Sequence, residues 1–337
     1  MKITEADAMT LAAGLLASRG APAAHAELQA RVLVRAELKG HPSHGLQRLP
    51  RLITRIERGL ADPRTKGNAH WQSGAYLSVD GQNGLGPVVA EAAISAILPR
   101  TRQEGIALAA VRNANHLGML AHYVEDIAAQ GLIGIAMGTS EALVHPYGGR
   151  KAMLGTNPLA IALPTTEDQP FVVDLATSIV SMGKVHHHAA TGKALEPGWA
   201  KDAEGEPTTD AVRAKAGSLA PFGGSKGYAL GLALELLVGV IAGSVPAPDV
   251  RGTLDAENPC TKGDMFIVID ARQNGGAARF ASYLDAIRAT APDDPSSPVR
   301  VPGDGARRNI EMARRHGFDI DPALHATLLS LSSQRTS

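Results

Sequence analysis

The sequence has little cysteine and no excess of charge of either sign. Of its 337 residues one is a cysteine, Cys260, which excludes an intramolecular disulfide and a thiolate-rich metal site. Basic and acidic residues both number 33, and no long run of either sign occurs, so no broad electrostatic field attracts nucleic acid or an anionic membrane. We therefore expect a small molecule as the partner, and neither nucleic acid nor a membrane.

Long apolar runs and a leader pattern are also missing. No stretch of 18 apolar residues occurs. The first ten residues, MKITEADAMT, carry acids where a secretory leader has basic residues followed by an apolar run. Together with the single cysteine, these absences predict a cytoplasmic protein. The length is sufficient for one large domain or two interlocked ones, with a core of the size that enzymes have.

Standard cofactor and metal motifs are a third absence. The sequence contains no G-x-G-x-x-G, no G-x-x-x-x-G-K-[ST] and no H-E-x-x-H, which excludes a standard Rossmann turn, a Walker loop and that zinc-binding helix. Three consecutive histidines, His186 to His188, remain as candidate metal ligands, but adjacent side chains of an extended segment point to opposite faces. We therefore predict solvated surface histidines there, and no metal site.

Helical patterns occupy both ends of the chain, and strand patterns occupy its middle. The stretch TEAD after residue 3 resembles a helix cap, and near the C-terminus Asp321 and Pro322 are typical of a helix start. Between the ends, six apolar runs predict strands that alternate with helical stretches, namely AYLSVD, IALAAV, GLIGIAMG, LAIALP, PFVVDLA and MFIVID. The pattern predicts an α/β fold with a helical domain from both termini, 1–70 plus 295–337, and a sheet domain, 71–294.

A helical or irregular excursion is expected inside the sheet domain, around 186–262. Residues 186–220 are polar, glycine-rich and charged, which is typical of a surface segment. The stretch GYALGLALELLVGVIAG that follows is apolar nearly all round. It predicts a helix that is buried among neighbours or against another subunit.

Five dense motifs carry most of the candidate site residues. The stretch HPSHGLQRLP places His44 and Arg48 four positions apart, on one face if the segment is helical. NANHLGML follows a predicted strand, GTNPLAIALP leads into one, and FVVDLATS ends one with short polar side chains. FGGSKGYALG places glycines and a lysine before a helix, which is a common arrangement for binding anions.

The set SHG-x-x-R-L-P, N-x-N-H-x-G, GTNPLA, DLATS and GG-x-KG-Y-x-L, in this order over nearly the whole chain, resembles the malate/L-lactate dehydrogenase family of NAD(P)-dependent oxidoreductases. That family is distinct from the Rossmann-type lactate and malate dehydrogenases. It includes L-sulfolactate and ureidoglycolate dehydrogenases, diketogulonate reductases and cyclic ketimine reductases. The resemblance implies a non-Rossmann nucleotide-binding mixed sheet, a helical domain built from both termini, and a homodimer with active sites near the subunit boundary.

Reduction of a 2-oxo acid needs a cation for the carboxylate, a proton donor and a hydride held on one face. Arg48 is predicted to grip the carboxylate with its forked guanidinium. His116, at the position of the family's active-site histidine, is predicted to be the general acid or base. His44 is expected to bind substrate or the nicotinamide amide with support from Ser43. Lys184 is predicted either to stabilise an alkoxide or second carboxylate, or to be an exposed lysine.

The cofactor is predicted to be NAD or NADP, held without a Rossmann turn. We expect the nicotinamide to lie beside His116 and Gly118 and the adenosine end to lie near RVPGDGARRN. There Asp304 would accept from a ribose 2′-hydroxyl in an NAD enzyme, whereas Arg307 or Arg308 would pair with a 2′-phosphate. The ribose and pyrophosphate are predicted to follow Thr156, Pro158, Asp174, Ala176, Thr177 and Lys226.

Substrate choice stays open between malate, sulfolactate and lactate types. Leu52 stands where many relatives have a tyrosine, which counts against ureidoglycolate and weakens the case for malate. The segment VRGTLDAENPCTKGDMFIVID resembles the malate and sulfolactate branch, and a lysine at position 184 favours hydroxy acids over ketimines. The alternatives are a cyclic ketimine reductase, a ureidoglycolate dehydrogenase and a non-catalytic nucleotide-binding paralogue.

Overall fold

The computed structural model describes residues 1–165, 170–272 and 277–333. The helices are α1 Glu5–Ala17, α2 Ala23–Leu38, α3 Leu49–Glu57, α4 Gly86–Glu104, α5 Ala121–Ala128, α6 Met182–Thr191, α7 Ala211–Ala214, α8 Ser225–Ala242, α9 Ala277–Arg288, α10 Asp304–His316 and α11 Pro322–Ser333. The strands are β1 Lys2–Ile3, β2 Asn68–Ser73, β3 Tyr76–Asp80, β4 Ile106–Arg112, β5 Ile133–Gly138, β6 Leu159–Leu163, β7 Phe171–Leu175, β8 Ala200–Lys201, β9 Pro207–Thr208, β10 Ser218–Leu219, β11 Gly263–Ile269 and β12 Phe318–Asp319.

A seven-stranded mixed sheet forms the centre of the molecule, with strand order β2-β3-β4-β11-β5-β6-β7. The β3–β4 pair is parallel and the other neighbours are antiparallel. All six apolar runs form strands of this sheet, which confirms those predictions. β11 is the middle strand, and its Phe266 lies opposite Ala109 of β4 and Ala136 of β5. The α/β fold class is therefore confirmed.

Helices cover each face of the sheet. Alternate strand residues point to opposite faces, and because the strands are apolar on both, each face needs a covering layer. On one face α4 and α5 pack on the sheet, where Phe266 and Tyr123 are fully buried. On the other face α8 places Leu234 and Val238 against Met265 and its neighbours. The middle strand is thus buried on both sides, which explains its continuous apolar sequence.

A second core joins the two ends of the chain. Buried residues of α1, α2, α3, α10 and α11, including Leu16, Leu33 and Leu328, form one cluster. Strands β1 and β12 pair antiparallel beside it. The predicted helix caps are confirmed: Thr4 Oγ1 accepts from the Asp7 amide at 3.1 Å, and the equivalent acceptor for α11 is the Asp321 carboxylate. The helical unit is therefore built from both termini; the boundaries at 70 and 295 stay predictions.

The predicted excursion around 186–262 consists of two different parts. Helices α6 and α7 and a small sheet of order β10-β8-β9 share a separate core around Val185 and Leu219. The prediction of an extended segment at His186 to His188 is wrong, because these residues lie within α6, which Ser181 caps at its start. Helix α8, in contrast, packs on the main sheet.

Helix α8 is apolar on two faces, and one of them is exposed. Its length and a mean hydropathy of 1.5 match those of a membrane span, but its inner face is accounted for by packing on the sheet. Beyond the first turn, where Ser225 and Lys226 are exposed, the outer face presents alanine, leucine and valine at helical spacing, namely Ala229, Leu230, Ala233, Leu236, Leu237 and Val240. An uncovered stripe of this kind is typical of a surface that meets another protein.

Candidate active site

A cleft of about 560 Å³ lies where the helical unit meets the carboxyl ends of β4, β5 and β7. Its lining also includes the turns after α2, the starts of β6 and β11, and the start of α10. Among the predicted residues, it brings together Ser43, His44, Arg48, His116, Gly118, Thr156, Pro158, Asp174 and Ala176. A cleft of this size is in the range that small-molecule ligands occupy.

The segment that carries His44 and Arg48 is not one helix. Two short 3₁₀ turns, Pro42–His44 and Leu46–Arg48, are separated by Gly45, and α3 begins only at Leu49. The prediction of a shared helical face is therefore wrong. Both side chains still reach the cleft, because the break at Gly45 turns the chain between them.

Arg48 forms no salt bridge with a carboxylate among the residues that the structure describes, although the charge of Glu141 acts on it from farther away. Its Nε donates to the Ser43 carbonyl oxygen at 2.7 Å, which fixes the plane of the guanidinium. Burial, and then the charge of Arg51, lower the pKa of Arg48 to about 10, so it stays charged at neutral pH. A fixed and charged guanidinium that lines a cleft is suited to binding an anion in forked geometry.

His44 and His116 face one another with ring centroids 5.6 Å apart. His44 Nδ1 lies 3.1 Å from Ser43 Oγ. His116 Nδ1 accepts from the Gly118 amide at 3.0 Å, so the neutral ring carries its proton on Nε2. Burial and the charge of Arg48 lower the pKa of His44 to about 4 and that of His116 well below its usual value. Both rings are neutral at pH 7.

Gly118 is required where it stands. Its φ is +79°, and a Cβ there would lie 2.5 Å from Val32 Cγ1. The backbone at 116–118 therefore approaches α2 more closely than any side chain allows. This close approach is what aligns the Gly118 amide with His116.

Sequence reasoning missed two buried lysines at the cleft. Lys39 contacts Glu125, and Lys262 contacts Asp264, as close ion pairs. Burial lowers the pKa of Lys39 and raises that of Asp264, while the charge of Lys262 helps to lower the pKa of His116. In the sequence each is an isolated charge; the one available signal was the TKGD stretch directly before the central strand.

The residues predicted for ribose and pyrophosphate fall into two groups. Thr156 lines the cleft, and its amide N–H donates to Ser140 Oγ at 3.0 Å. Thr177, in contrast, is buried, and its hydroxyl donates to the carbonyl oxygen of Thr156. Asp174 is open to the cleft and accepts from the Ala121 amide at 2.7 Å. Burial raises the pKa of Asp174 to about 6. The turns thus supply acceptors and backbone amides along one wall.

Besides the buried Thr177, the predicted residues Lys184, Lys226, Asp304 and Arg307 do not line the cleft. Lys184 is exposed and lies over the Trp199 ring at 4.7 Å, and Lys226 is exposed in the first turn of α8. The Asp304 carboxylate pairs with Arg288 and Arg307, which holds the pKa of Asp304 well below its usual range. The lining at this end comes from the backbone around Gly303, whose φ is +97°.

One histidine-carboxylate cluster has the spacing of metal ligands, formed by Glu91, His122 and Asp126. Arg35 Nη1 lies 3.0 Å from His122 Nδ1, and a guanidinium only donates, so the neutral ring carries its proton on Nε2. Nε2 lies 3.5 Å from Glu91 Oε1 without forming a hydrogen bond to it. The ring therefore presents a proton, and not a lone pair, to the carboxylates, which disfavours a bound cation.

The mixed sheet and this cleft together define an enzyme of α/β class that acts on a small anionic molecule. The chain matches the malate/L-lactate dehydrogenase family over residues 3–329 and belongs to that family. The resemblance drawn from the five motifs is thereby confirmed. The family consists of oxidoreductases that act on small acids, and its dehydrogenases imply a nicotinamide cofactor.

Three similar proteins illustrate the range of the family. A dehydrogenase structure from Sinorhizobium meliloti superposes with a TM-score of 0.96 at 52% identity, covering 98% of both chains. The L-sulfolactate dehydrogenase of Methanocaldococcus jannaschii is 36% identical, over 94% of this chain and 92% of that protein. The Delta(1)-pyrroline-2-carboxylate reductase 1 of Burkholderia ambifaria is 34% identical, over 95% of this chain and 94% of that protein.

Proposed function

We propose that this protein is an NAD(P)-dependent dehydrogenase that acts on a small 2-hydroxy or 2-oxo acid of the malate, sulfolactate or lactate type. The observation that carries the proposal is Arg48, a fixed cation that forms no salt bridge with a carboxylate among the described residues, in the same cleft as two neutral histidines. The similarity to L-sulfolactate dehydrogenase supports it.

Arg48 is proposed to bind the substrate carboxylate. The bond from Nε to the Ser43 carbonyl leaves the two terminal nitrogens of the guanidinium for the ligand. Two parallel N–H···O bonds orient a carboxylate as well as attract it. The reacting carbon is then held beside the two imidazoles, which is the arrangement that proton transfer requires.

The two histidines are proposed to have different roles, one in proton exchange and one in ligand binding. Sequence motifs predicted His116 as the acid and His44 as its helper, but their Nδ1 contacts favour the opposite division. A proton on His116 Nδ1 would face the N–H of the Gly118 amide, which already donates to this nitrogen, and the two donors would repel each other. Ser43 Oγ both donates and accepts, so His44 keeps its partner in either protonation state. We therefore assign proton exchange to His44, and to His116 a fixed Nε2–H that holds the ligand.

The cleft fits a dinucleotide. Ser178 Oγ lines it and is buried without a hydrogen-bond partner among the described residues, which leaves a polar atom for a ligand to satisfy. Gly118 and Gly303 allow close backbone approach, and Thr156 and Asp174 supply polar side chains between them. When bound, the nicotinamide supplies or accepts the hydride. The protein holds the rings, excludes water and moves the proton.

Neither NAD nor NADP is favoured by charge at the adenosine end. The proposal that Asp304 repels a 2′-phosphate is weakened, because Arg288 and Arg307 already neutralise this carboxylate. Arg288 also pairs with Asp285, so two guanidiniums meet two carboxylates and the group carries no net charge. We therefore propose that both cofactors are accepted, and that Asp304, Arg288 and Arg307 set the ratio of kcat/KM for NADPH to that for NADH.

The test is a substrate panel followed by the absorbance of the reduced nicotinamide. NADH and NADPH are each offered with oxaloacetate, pyruvate, sulfopyruvate and piperideine-2-carboxylate, and NAD⁺ and NADP⁺ with ureidoglycolate. We expect turnover with one or more 2-oxo acids. Absence of turnover with all of them, at protein concentrations where calorimetry still detects cofactor binding, would instead identify a nucleotide-binding paralogue.

A second candidate is reduction of a cyclic ketimine. Its support is the similarity to Delta(1)-pyrroline-2-carboxylate reductase 1 over nearly the whole chain. The predicted argument against it from Lys184 loses its force, because this side chain is exposed and away from the cleft. Activity on pyrroline- or piperideine-2-carboxylate without activity on any 2-oxo acid would establish it in place of the first proposal.

A homodimer is proposed as the working assembly, with α8 at the subunit contact. The six residues of the exposed stripe of α8 are all apolar, and Val240 at its C-terminal end is 80% exposed. A stripe of this composition gains free energy when a second apolar surface covers it. The predicted cytoplasmic location is kept as a proposal, supported by the single, buried and free Cys260.

A further inference from the structure

The last turn of α2 carries a buried carboxylate that the proposed reaction does not use. Glu37 is 8% exposed, and among the described residues no cation forms a salt bridge with it. Its Oε1 accepts from the Leu46 amide at 2.7 Å. Burial raises the pKa of Glu37 to about 7, against the opposing effect of this hydrogen bond. Burying a carboxylate without a cation costs free energy of folding, so its contact with Leu46 is expected to serve a purpose.

That contact lies at the break between the two 3₁₀ turns. A Cβ on Gly45 would lie 2.2 Å from Glu37 Oε1 and 2.5 Å from its Cδ. The φ of Gly45 is −95°, outside the left-handed region that favours glycine, so the need for glycine here comes from the space around its Cα. The Glu37 carboxylate occupies the space that a side chain at position 45 would need.

Two hydrogen bonds close around the same break. On the inner side Glu37 accepts from Leu46, and on the outer side Arg48 Nε donates to the Ser43 carbonyl oxygen. The first turn carries His44 and the second carries Arg48. The angle between the turns therefore sets where the imidazole lies relative to the guanidinium.

We propose that Glu37 is a positioning residue that fixes the angle between the two turns, and so places His44 and Arg48 for one substrate. The proposal rests on the proposed function for its kinetic meaning. Glu37 acts through its shape and its acceptor oxygen, since its partner is a backbone amide. Glutamine offers the same acceptor in the same volume, and alanine offers neither.

The kinetic test compares Glu37→Gln with Glu37→Ala. We expect Glu37→Ala to lower kcat/KM for the 2-oxo acid by about 10- to 100-fold, the scale that misplacement of reacting groups causes. The dissociation constant of the reduced cofactor should stay within about twofold, because loss of substrate placement leaves the cofactor wall intact. Glu37→Gln should recover most of the activity. The control is Gln29→Ala, another buried polar residue of α2.

A second test exploits the shared space at position 45. Gly45→Ala should impair kcat/KM in the wild-type background, because the added methyl group meets the carboxylate. In the Glu37→Ala background the same methyl group meets open space, so it should cause little further loss. Additive losses in the double variant would overturn the proposal, as would a Glu37→Ala variant with normal kcat/KM or one with equally weakened cofactor binding.

Hydrogen exchange separates this proposal from the proposed function. Amides of residues 43–48 should exchange faster in Glu37→Ala than in the wild type and Glu37→Gln, whether or not a substrate has been found. Unchanged exchange would overturn the positioning role. If exchange is faster in Glu37→Ala but the wild type turns over no 2-oxo acid, Glu37 still fixes the angle between the two turns, and the dehydrogenase assignment is wrong.

Discussion

His44 and His116 lie 5.6 Å apart between ring centroids, yet their Nδ1 atoms meet different partners. The partner of His44 is a hydroxyl, which reverses its hydrogen bond when the ring gains a proton; the partner of His116 is a backbone amide, which cannot. Two residues of one type in one cleft are thereby made chemically distinct. The first prediction tests this difference.

His44→Ala should depress kcat by about 10²- to 10⁴-fold, the usual range for loss of a general acid or base. His116→Ala should raise the KM for substrate or cofactor more than it lowers kcat, because a fixed donor is lost. Steady-state kinetics of both variants in both directions provide the measurement. A large kcat loss for His116→Ala alone would return the acid role to His116.

Arg48→Lys keeps the charge but loses the forked geometry. We expect KM for the 2-oxo acid to rise and kcat to fall, with a combined barrier increase of about 2 kcal/mol or more. Arg51→Lys, an exposed neighbour in the next turn, is the matched control and should change kcat/KM little. Wild-type kcat/KM in Arg48→Lys would show that positive charge alone, and not bidentate binding, attracts the substrate.

The pH profile should report the lowered pKa of His44. Oxidation of the hydroxy acid needs a neutral imidazole, so kcat/KM should be flat at neutral pH and fall only as the pH drops through about 4. A histidine at its usual pKa of 6.5 would show the fall more than two pH units higher. The enzyme is stored at neutral pH and diluted into the acidic assay buffer just before each measurement, so that the initial rates are recorded before the protein unfolds.

Asp304→Ala leaves Arg288 and Arg307 without their shared carboxylate. We expect the ratio of kcat/KM for NADPH to that for NADH to rise, because Arg307 loses its carboxylate partner, Arg288 keeps only Asp285, and the resulting positive charge favours a 2′-phosphate. Asp285→Ala removes only the exposed partner of Arg288 and serves as the control. An unchanged ratio would mean that the adenosine ribose lies elsewhere.

Val240→Glu places a charge at the C-terminal end of the exposed stripe of α8. We expect the wild type to be a dimer and the variant to be a monomer by light scattering after size-exclusion chromatography, since burying an unpaired charge is costly. Val212→Glu, at an exposed valine of α7, should leave the mass unchanged. A monomeric wild type would contradict the proposal for this surface.

The elements that were predictable were those with a strong local signal. All six apolar runs form strands because an alternating or continuous apolar pattern records burial directly. Strand β2 was missed, since its sequence NAHWQS is polar and it lies at the edge of the sheet. The helix expected through His44 and Arg48 was wrong because the break at Gly45 depends on Glu37, a residue outside the local pattern.

The site was predictable where a motif marks it and hidden where contacts are distant. Nine of the predicted positions line the cleft, since they stand at strand ends and turns. Lys39 and Lys262 look like ordinary surface lysines in the sequence, and their burial depends on the acids that tertiary folding brings to them. The pairing of Asp304 with Arg288 likewise joins two helices and leaves no local trace.

The central position of β11 has a consequence for biosynthesis. Its residues, 263–269, are the last of the seven sheet strands to leave the ribosome, yet they fill the gap between β4 and β5. Until then the nascent chain holds two partial sheets, each with an unpaired inner edge, and such edges invite pairing with other chains. A product truncated before residue 263 should therefore aggregate and not persist as a smaller enzyme, so premature termination endangers this protein more than most substitutions.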